Sequence, residues 1–290
     1  MRRKVLLAFA AALMITGCVH HSPFLSEYYF QAMGDDGELV MTVDADALKK
    51  SSVSIPSNEI LDRSERISVA MTPSQESSIY PLPLSSWTLY GAAEGNFGTL
   101  LVPAVISHLD GFERGEGKTR YYTNGSISVG VPETGLLLFS TGDYLEAKDK
   151  TLDNRSILIP HSLAKEMASP LMSIYVSEPR TMIDLGFEIP YAVITGMEFA
   201  LITITEKDGS FFLSATVSFC EERDAQTFMT LIRNMVVQQL RREGGKLDFK
   251  LLSEMIAKDG ERTLIRNMEM SKEDVRGYME RALALSGGMI

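Results

Sequence analysis

Short runs in which apolar and polar residues alternate recur along the chain, and such runs are typical of strands with one buried face. The clearest pair covers residues 198–206 and 211–219 and flanks Lys207-Asp208-Gly209, which favours a tight hairpin turn. Asn124-Gly125 is a second turn signal, within a meander of shorter runs. The predicted strands cover residues 38–43, 66–71, 87–93, 120–122, 127–131, 136–140, 171–176, 198–206, 211–219 and 263–268.

Apolar residues spaced three and four apart predict helices between these strands. The longest covers residues 223–242 and ends before Gly244-Gly245, because glycine is common just beyond a helix C-terminus. Ser271, with Asp274 three residues later, resembles a capping box, so we expect a final helix that ends near Leu285. The other predicted helices cover residues 24–32, 44–50, 98–109, 143–150, 178–185 and 248–258.

The order of these elements is similar in the two halves of the chain. Each half has adjacent strands, a helix, one or more further strands and a terminal helix. Runs of strands mixed with helices in this way are typical of the α+β class. We therefore predict an α+β fold of two similar antiparallel sheet-plus-helix units packed side by side, with unit one at residues 38–168 and unit two at residues 169–290.

The N-terminus has the layout of a secretory signal. Basic residues 2–4 precede an apolar run of 11 residues, 5–15, whereas a membrane-spanning helix needs about 20. The end of this leader, Ile15-Thr16-Gly17-Cys18, resembles the lipobox of bacterial lipoproteins. We identify residues 1–17 as a lipoprotein signal peptide and residues 18–37 as a lipidated N-terminus with a short tether. The alternative is an ordinary signal peptide with an incidental cysteine.

The lipobox resemblance implies a lipid anchor in the cell envelope. In this class the Cys18 thiol receives a diacylglycerol, cleavage follows Gly17, and the new amino group is often acylated with a fatty acid such as palmitate. Two or three acyl chains anchor a protein stably, whereas one chain binds only marginally. Val19 stands where an aspartate retains some lipoproteins at the inner membrane. The resemblance therefore favours the outer membrane, on its periplasmic or surface face, over the inner membrane.

The net charge of the chain narrows the classes of possible partner. Without the three cations of the leader, 25 basic residues face 38 acidic ones, a net charge near −13. Such a surface repels nucleic acid and anionic lipid, so no nucleic-acid partner is expected.

Once Cys18 is acylated, Cys220 is the only thiol and no intrachain disulfide can form. The fold must therefore depend on its apolar core.

No motif in the sequence identifies a catalytic, cofactor or metal site. The segment 111–119 resembles a phosphate-binding P-loop, but the glycine required at position 112 is Phe112. The segment 125–130 lacks the Gly-x-Ser-x-Gly register of a nucleophile elbow. The histidines lack the paired spacing of a zinc site; they are His20, His21, His108 and His161. We therefore predict no enzyme, no cofactor and no metal site.

Amphipathic helices are the most informative feature of the body. Within residues 223–242 an apolar stripe follows steps of three and four. The candidate lipid-contacting residues in this stripe are Phe228, Leu231, Ile232, Met235, Val236 and Leu240. A second stripe comprises Leu251, Leu252, Met255 and Ile256. These faces either cover the sheet as core or contact lipid as interfacial helices do, and the 16 methionines of the chain suit an adaptable apolar surface.

The sequence thus predicts a membrane-anchored lipoprotein of the cell envelope that acts as a non-enzymatic binding or scaffolding module. One alternative is a protein that binds lipid or perturbs the bilayer through its amphipathic helices. Another is an envelope hydrolase with a dispersed active site. The expected partners are the membrane, through the acyl chains, and a lipid or another envelope protein.

Overall fold

The structure is a computed structural model that describes most of the chain after the leader. The described residues are 28–33, 39–53, 59–73, 86–107, 111–152, 159–179, 181, 191–242 and 248–285. The predicted signal peptide, Cys18 and most of the predicted tether lie outside these ranges, as does nearly all of the predicted helix 178–185.

The bounds of the strands and helices in the described chain are as follows. The strands are β1 (Leu39–Asp44), β2 (Ser64–Pro73), β3 (Trp87–Gly95), β4 (Glu113–Arg114), β5 (Tyr121–Thr123), β6 (Ser128–Glu133), β7 (Leu136–Ser140), β8 (Met172–Val176), β9 (Met197–Lys207), β10 (Ser210–Phe219), β11 (Ile256–Asp259) and β12 (Arg262–Met270). The helices are α1 (Tyr29–Ala32), α2 (Ala45–Lys50), α3 (Glu59–Arg63), α4 (Leu101–Ile106), α5 (Tyr144–Leu152), α6 (His161–Ala168), α7 (Tyr191–Ile194), α8 (Glu222–Arg242), α9 (Phe249–Met255) and α10 (Lys272–Leu285).

All twelve strands belong to one antiparallel sheet. Their order across the sheet is β11-β12-β10-β9-β8-β1-β2-β3-β7-β6-β5-β4. The centre is the pair β1–β8, in which Val40 lies opposite Tyr175. This pair joins the strands of the first half of the chain to those of the second half. The α+β class predicted from the sequence is confirmed.

The sheet buries apolar residues on both of its faces. In β1 the residues Leu39, Met41 and Val43 belong to the larger core cluster, while Val40 between them belongs to a second cluster. Successive side chains of a strand point to opposite faces, so the two clusters mark the two sides of the sheet. We call the side of Met41 face A and the side of Val40 face B.

Helices cover the two faces unequally. Face A packs against α2, α3, α4, α7, α8 and α10, which contribute Leu48, Leu61, Ile106, Val193, Phe228 and Met279 to its core. Face B packs against α1, α5 and α6, which contribute Phe30, Tyr144 and Met167. Strands buried on both sides need apolar residues at consecutive positions, as β1 has.

The structure corrects three local predictions. The predicted helix 248–258 ends at Met255, and Ile256–Asp259 forms the edge strand β11, because this segment pairs with β12. The segment 111–118, for which neither a strand nor a helix was predicted, contains the short strand β4, which pairs with β5. The helices α3, α6 and α7 were not predicted from the sequence; Ala164 and Met167 of α6 are buried on face B.

Candidate functional site

The first part of α8 is core rather than surface. Ala225, Phe228 and Met229 are buried, and the Phe228 ring lies 5.4 Å from the Phe219 ring between centroids. The Thr263 hydroxyl donates a hydrogen bond of 2.8 Å to the Ala225 carbonyl. The helix is therefore fixed to β10 and β12 at its beginning.

Further along, α8 packs with α9 over a small separate cluster that we call the satellite core. It contains Met229, Leu252 and Ile256, with Ile232, Val236, Val237 and Met255 partly buried against it. The Asp248 carboxylate caps α9 by accepting hydrogen bonds from the Lys250 and Leu251 amides. The Arg233 guanidinium donates two hydrogen bonds, of 3.1 and 2.6 Å, to the Ile256 carbonyl. These contacts hold both helices against the edge strand β11.

Beyond this core, three large apolar side chains are exposed on α8 and α9. Met235 is 55% exposed, Phe249 70% and Leu251 61%. We call these three residues the α8–α9 surface. The remaining exposed large hydrophobic residues among those described are Leu100, Tyr191 and Tyr278. They lie directly before α4, on α7 and on α10, which all pack on face A. Apart from α9, which packs on α8, the helices that carry or adjoin these residues thus all contribute to the core of face A.

The residues predicted from the sequence to contact lipid have different surroundings. Phe228 is 5% exposed and belongs to the main core, whereas Met235 is exposed. Leu231, Ile232, Val236 and Leu240 are partly exposed. In the second stripe Leu252 and Ile256 are buried and Leu251 is exposed. Each apolar stripe thus contains some residues that pack in a core and others that are exposed at the surface.

Phe249 and Leu100 were missing from the predicted set. Phe249 follows the cap residue Asp248, and an aromatic residue at the first position of a helix was the available signal. Leu100 directly precedes the apolar helix α4. Phe249 lies three residues before Leu252 and so fits the spacing of the second stripe, whereas Leu100 lies before the start of α4.

The charged residues at the two ends of α8 are arranged as the helix dipole favours, with acidic residues at the N-terminus and basic residues at the C-terminus. Glu222 and Asp224 lie in the first turn, and Arg241 and Arg242 in the last. Lys258 of β11 forms an ion pair with Glu222, and its hydrogen bond lowers the pKa of that exposed carboxylate. The exposed cations at the C-terminal end carry long apolar stems, which suits a water–lipid boundary.

The other segments considered for chemistry are turns or surface in the structure. The segment 111–119 is largely exposed and contains β4, and Gly117 has a φ of +106°. Ser126 lies in a turn in which the Asn124 side chain accepts hydrogen bonds from the Ser126 and Ile127 amides. His161 Nδ1 lies 3.4 Å from Gln31 Nε2, while His20, His21 and His108 lie outside the described residues. Among the described residues no three His, Cys, Asp or Glu side chains group as metal ligands would.

Within the described ranges, no helix combines the length and apolarity that crossing a bilayer requires. An open cleft of about 490 Å³ lies between the end of α2, the residues before β8 and the β9–β10 hairpin. Its polar lining includes Lys50, Glu206 and Asp208, and the Glu206 carboxylate accepts a hydrogen bond from the Ser52 amide.

Comparison with known proteins gives a fold and no family. No protein-family model matches the chain, and no curated protein matches its sequence. Crystal form I of TP0453 has a similar structure, with a TM-score of 0.57, 12% identity, and coverage of 88% of this chain and 98% of TP0453. Crystal form IV gives a TM-score of 0.58 at 12% identity, over 86% and 95% of the two chains. Crystal form III gives 0.58 at 11% identity, over 88% and 99%. At such identities the likeness shows that this chain shares the α+β fold of TP0453.

Proposed function

We propose that the chain is a lipoprotein of the cell envelope, anchored through acyl chains on Cys18, whose non-enzymatic body contacts lipid through the α8–α9 surface. The observation that carries the lipid contact is the exposure of Met235, Phe249 and Leu251 on two helices that have a core of their own. The leader and lipobox support the anchor, and Val19 favours the outer membrane.

The energetics of the α8–α9 surface favour an apolar partner. Each of its three side chains is more than half exposed and would gain on the order of 1–2 kcal/mol if it left water. A surface of this kind is typical of helices that lie in the membrane interface. Because the mature chain carries a net charge near −13, we expect neutral phospholipid to be bound better than anionic phospholipid.

Vesicle binding tests the lipid contact. The soluble body, residues 18–290 with Cys18→Ser, is expected to sediment with phosphatidylcholine vesicles. The triple variant Met235→Gln, Phe249→Ser, Leu251→Gln should bind more than about tenfold more weakly, because it loses the exposed apolar side chains. The control Gln226→Ala, Gln238→Ala changes exposed polar positions of the same helix and should bind as the parent does.

These surface substitutions separate binding from folding. Substitutions at Ile232 or Val236 would also disturb the satellite core, against which both residues pack. Equal vesicle binding by the parent and the triple variant would contradict the lipid contact. The scaffolding alternative, in which the body contacts another envelope protein, would then take its place.

The anchor itself is tested by labelling. Cells that express the full-length protein are grown with radioactive palmitate, and the protein is expected to carry the label. Cys18→Ser should abolish the label, because the thiol is the acylation site that the lipobox specifies. The control Cys220→Ser should retain it. An unlabelled parent protein would overturn the anchor, and membrane fractionation would place a labelled one in the inner or the outer membrane.

We also infer that the sheet combines two similar units. Counted outward from the central pair, one half runs β1-β2-β3-β7-β6-β5-β4 and the other β8-β9-β10-β12-β11, so the first five strands correspond and β5 and β4 have no counterpart. In each half the first three strands follow chain order, and a hairpin formed later in the chain extends the sheet. This correspondence supports units at residues 38–168 and 169–290 that share one continuous sheet.

A further inference from the structure

The helix α1 lies within residues 18–37, the predicted tether, and it is buried on face B. It has only one turn, Tyr29–Ala32, yet Tyr29, Phe30 and Met33 belong to the face B core. Isolated helices shorter than about 12 residues are marginal in water, so α1 keeps its helical form only while it is packed. We therefore expect a docked state and an undocked state, without a free helix between them.

Hydrogen bonds join α1 to distant parts of the chain. The buried side chain of Gln31 donates a hydrogen bond of 3.1 Å to the carbonyl of Ile159, just before α6. The Tyr29 hydroxyl donates one of 2.5 Å to the Glu133 carboxylate at the end of β6. Both bonds would break together if α1 left the sheet.

Two opposite charges lie at the base of α1. Arg66 of β2 and Glu94 of β3 are opposite each other in the strand register, and Glu94 accepts a hydrogen bond from the Tyr29 amide. The Arg66 guanidinium lies 6.0 Å from the centre of the Tyr28 ring and donates a hydrogen bond of 2.8 Å to the Ala168 carbonyl. The charged side of the docking site is thus part of face B and would remain after α1 had left.

We propose that α1 is a releasable clasp that fastens the N-terminal tether to face B and sets the length of that tether. Residues 34–38 separate α1 from β1, so its release need not break a strand of the sheet. With α1 docked, the tether from residue 18 to residue 27 reaches at most about 33 Å. With α1 released, the tether extends to residue 38 and reaches about 70 Å. The role of the tether rests on the proposed lipid anchor.

Glu94 makes the clasp sensitive to pH. Burial raises its pKa from 4.5 to about 7, against the opposing effects of the Arg66 charge and the Tyr29 amide, and Glu65 adds to the rise. Release of α1 hydrates Glu94 and returns its pKa towards 4.5. Below pH 4.5 the carboxyl is protonated in both states, so the contribution of Glu94 to docking is fully present. Between pH 4.5 and 7 the released state loses a proton, so release becomes easier by up to tenfold per pH unit; above pH 7 the effect levels off.

Amide hydrogen exchange of the full-length protein, purified from its host in mild detergent, tests the clasp. After correction for intrinsic exchange rates, the opening constant of the peptide containing residues 28–33 should rise on the order of 50-fold from pH 5 to pH 8. Most of the rise should occur below pH 7.5. The peptides of the β9–β10 hairpin should stay protected throughout, because release leaves the sheet intact.

Substitutions test whether Glu94 is responsible for the change of the opening constant with pH. Glu94→Gln cannot ionise, so its opening constant should not change with pH. Glu269→Gln, at an exposed position of β12, should keep the slope of the parent. A flat profile in the parent, an unchanged slope in Glu94→Gln, or exchange of α1 only together with the hairpin would each overturn the clasp. The exchange result does not depend on acylation, so failure of the anchor is detected separately by palmitate labelling.

Discussion

Residues of a single amphipathic stripe can differ widely in what they contact. Phe228 packs against Phe219 and is 5% exposed, while Met235, two turns later on the same helix, is 55% exposed. The spacing of apolar residues indicates one face but does not show how far along that face the helix is covered. The covered length depends on β10 and β12 beneath α8, which come from other parts of the sequence.

This difference predicts opposite effects of two similar truncations. Phe228→Ala should lower the free energy of unfolding by about 3–5 kcal/mol, because it leaves a cavity in the main core. Met235→Ala should change it by less than about 0.5 kcal/mol, because the side chain already lies in water. Urea unfolding followed by circular dichroism measures both values. Similar losses in the two variants would mean that Met235 is packed, and would remove it from the α8–α9 surface.

At the scale of elements, local patterns predict a structure well where local contacts decide it. The β9–β10 hairpin follows from the alternation and from Lys207-Asp208-Gly209, in which Asp208 and Gly209 both have positive φ. The strand β11 was missed because Ile256 continues the helical spacing of Leu252 and Met255, although Lys258-Asp259-Gly260 repeats the tripeptide of the β9–β10 turn. Ile256 pairs with Ile265 across the β11–β12 hairpin, and Arg233, 23 residues earlier in the chain, donates hydrogen bonds to the Ile256 carbonyl. These contacts end the helix where the sequence pattern alone would continue it.

The docking site of α1 could be predicted from local sequence patterns even less well. Residues 24–32 have helical spacing, and α1 forms within that range. The sequence around α1, however, does not indicate that Arg66 and Glu94 lie beside it, because these two residues become neighbours only through the register of β2 and β3. Two of the three residues of the α8–α9 surface, Met235 and Leu251, lie in the predicted stripes, whereas Phe249 was not included in them.

At the scale of the whole molecule, the pair β1–β8 makes one sheet from the two halves. The hydrogen bonds of this pair run from Leu39–Val176 to Val43–Met172 and leave no free sheet edge at the centre. The core of face A also contains residues of both halves, such as Met41 and Ile204. Loss of either half would therefore expose an edge strand and part of a shared core.

We accordingly expect the body to unfold in a single transition although its halves are similar in strand order. The only tryptophan, Trp87, is buried in the first half, and the only thiol left after Cys18→Ser, the exposed Cys220, lies in the second. Intrinsic fluorescence and a dye on Cys220 should give coincident unfolding curves in urea, because neither half is stable without the strand supplied by the other. The Cys220→Ser variant controls for the effect of the label on stability. Two separated transitions would instead show that each half folds on its own, and that the β1–β8 pair joins two independent domains.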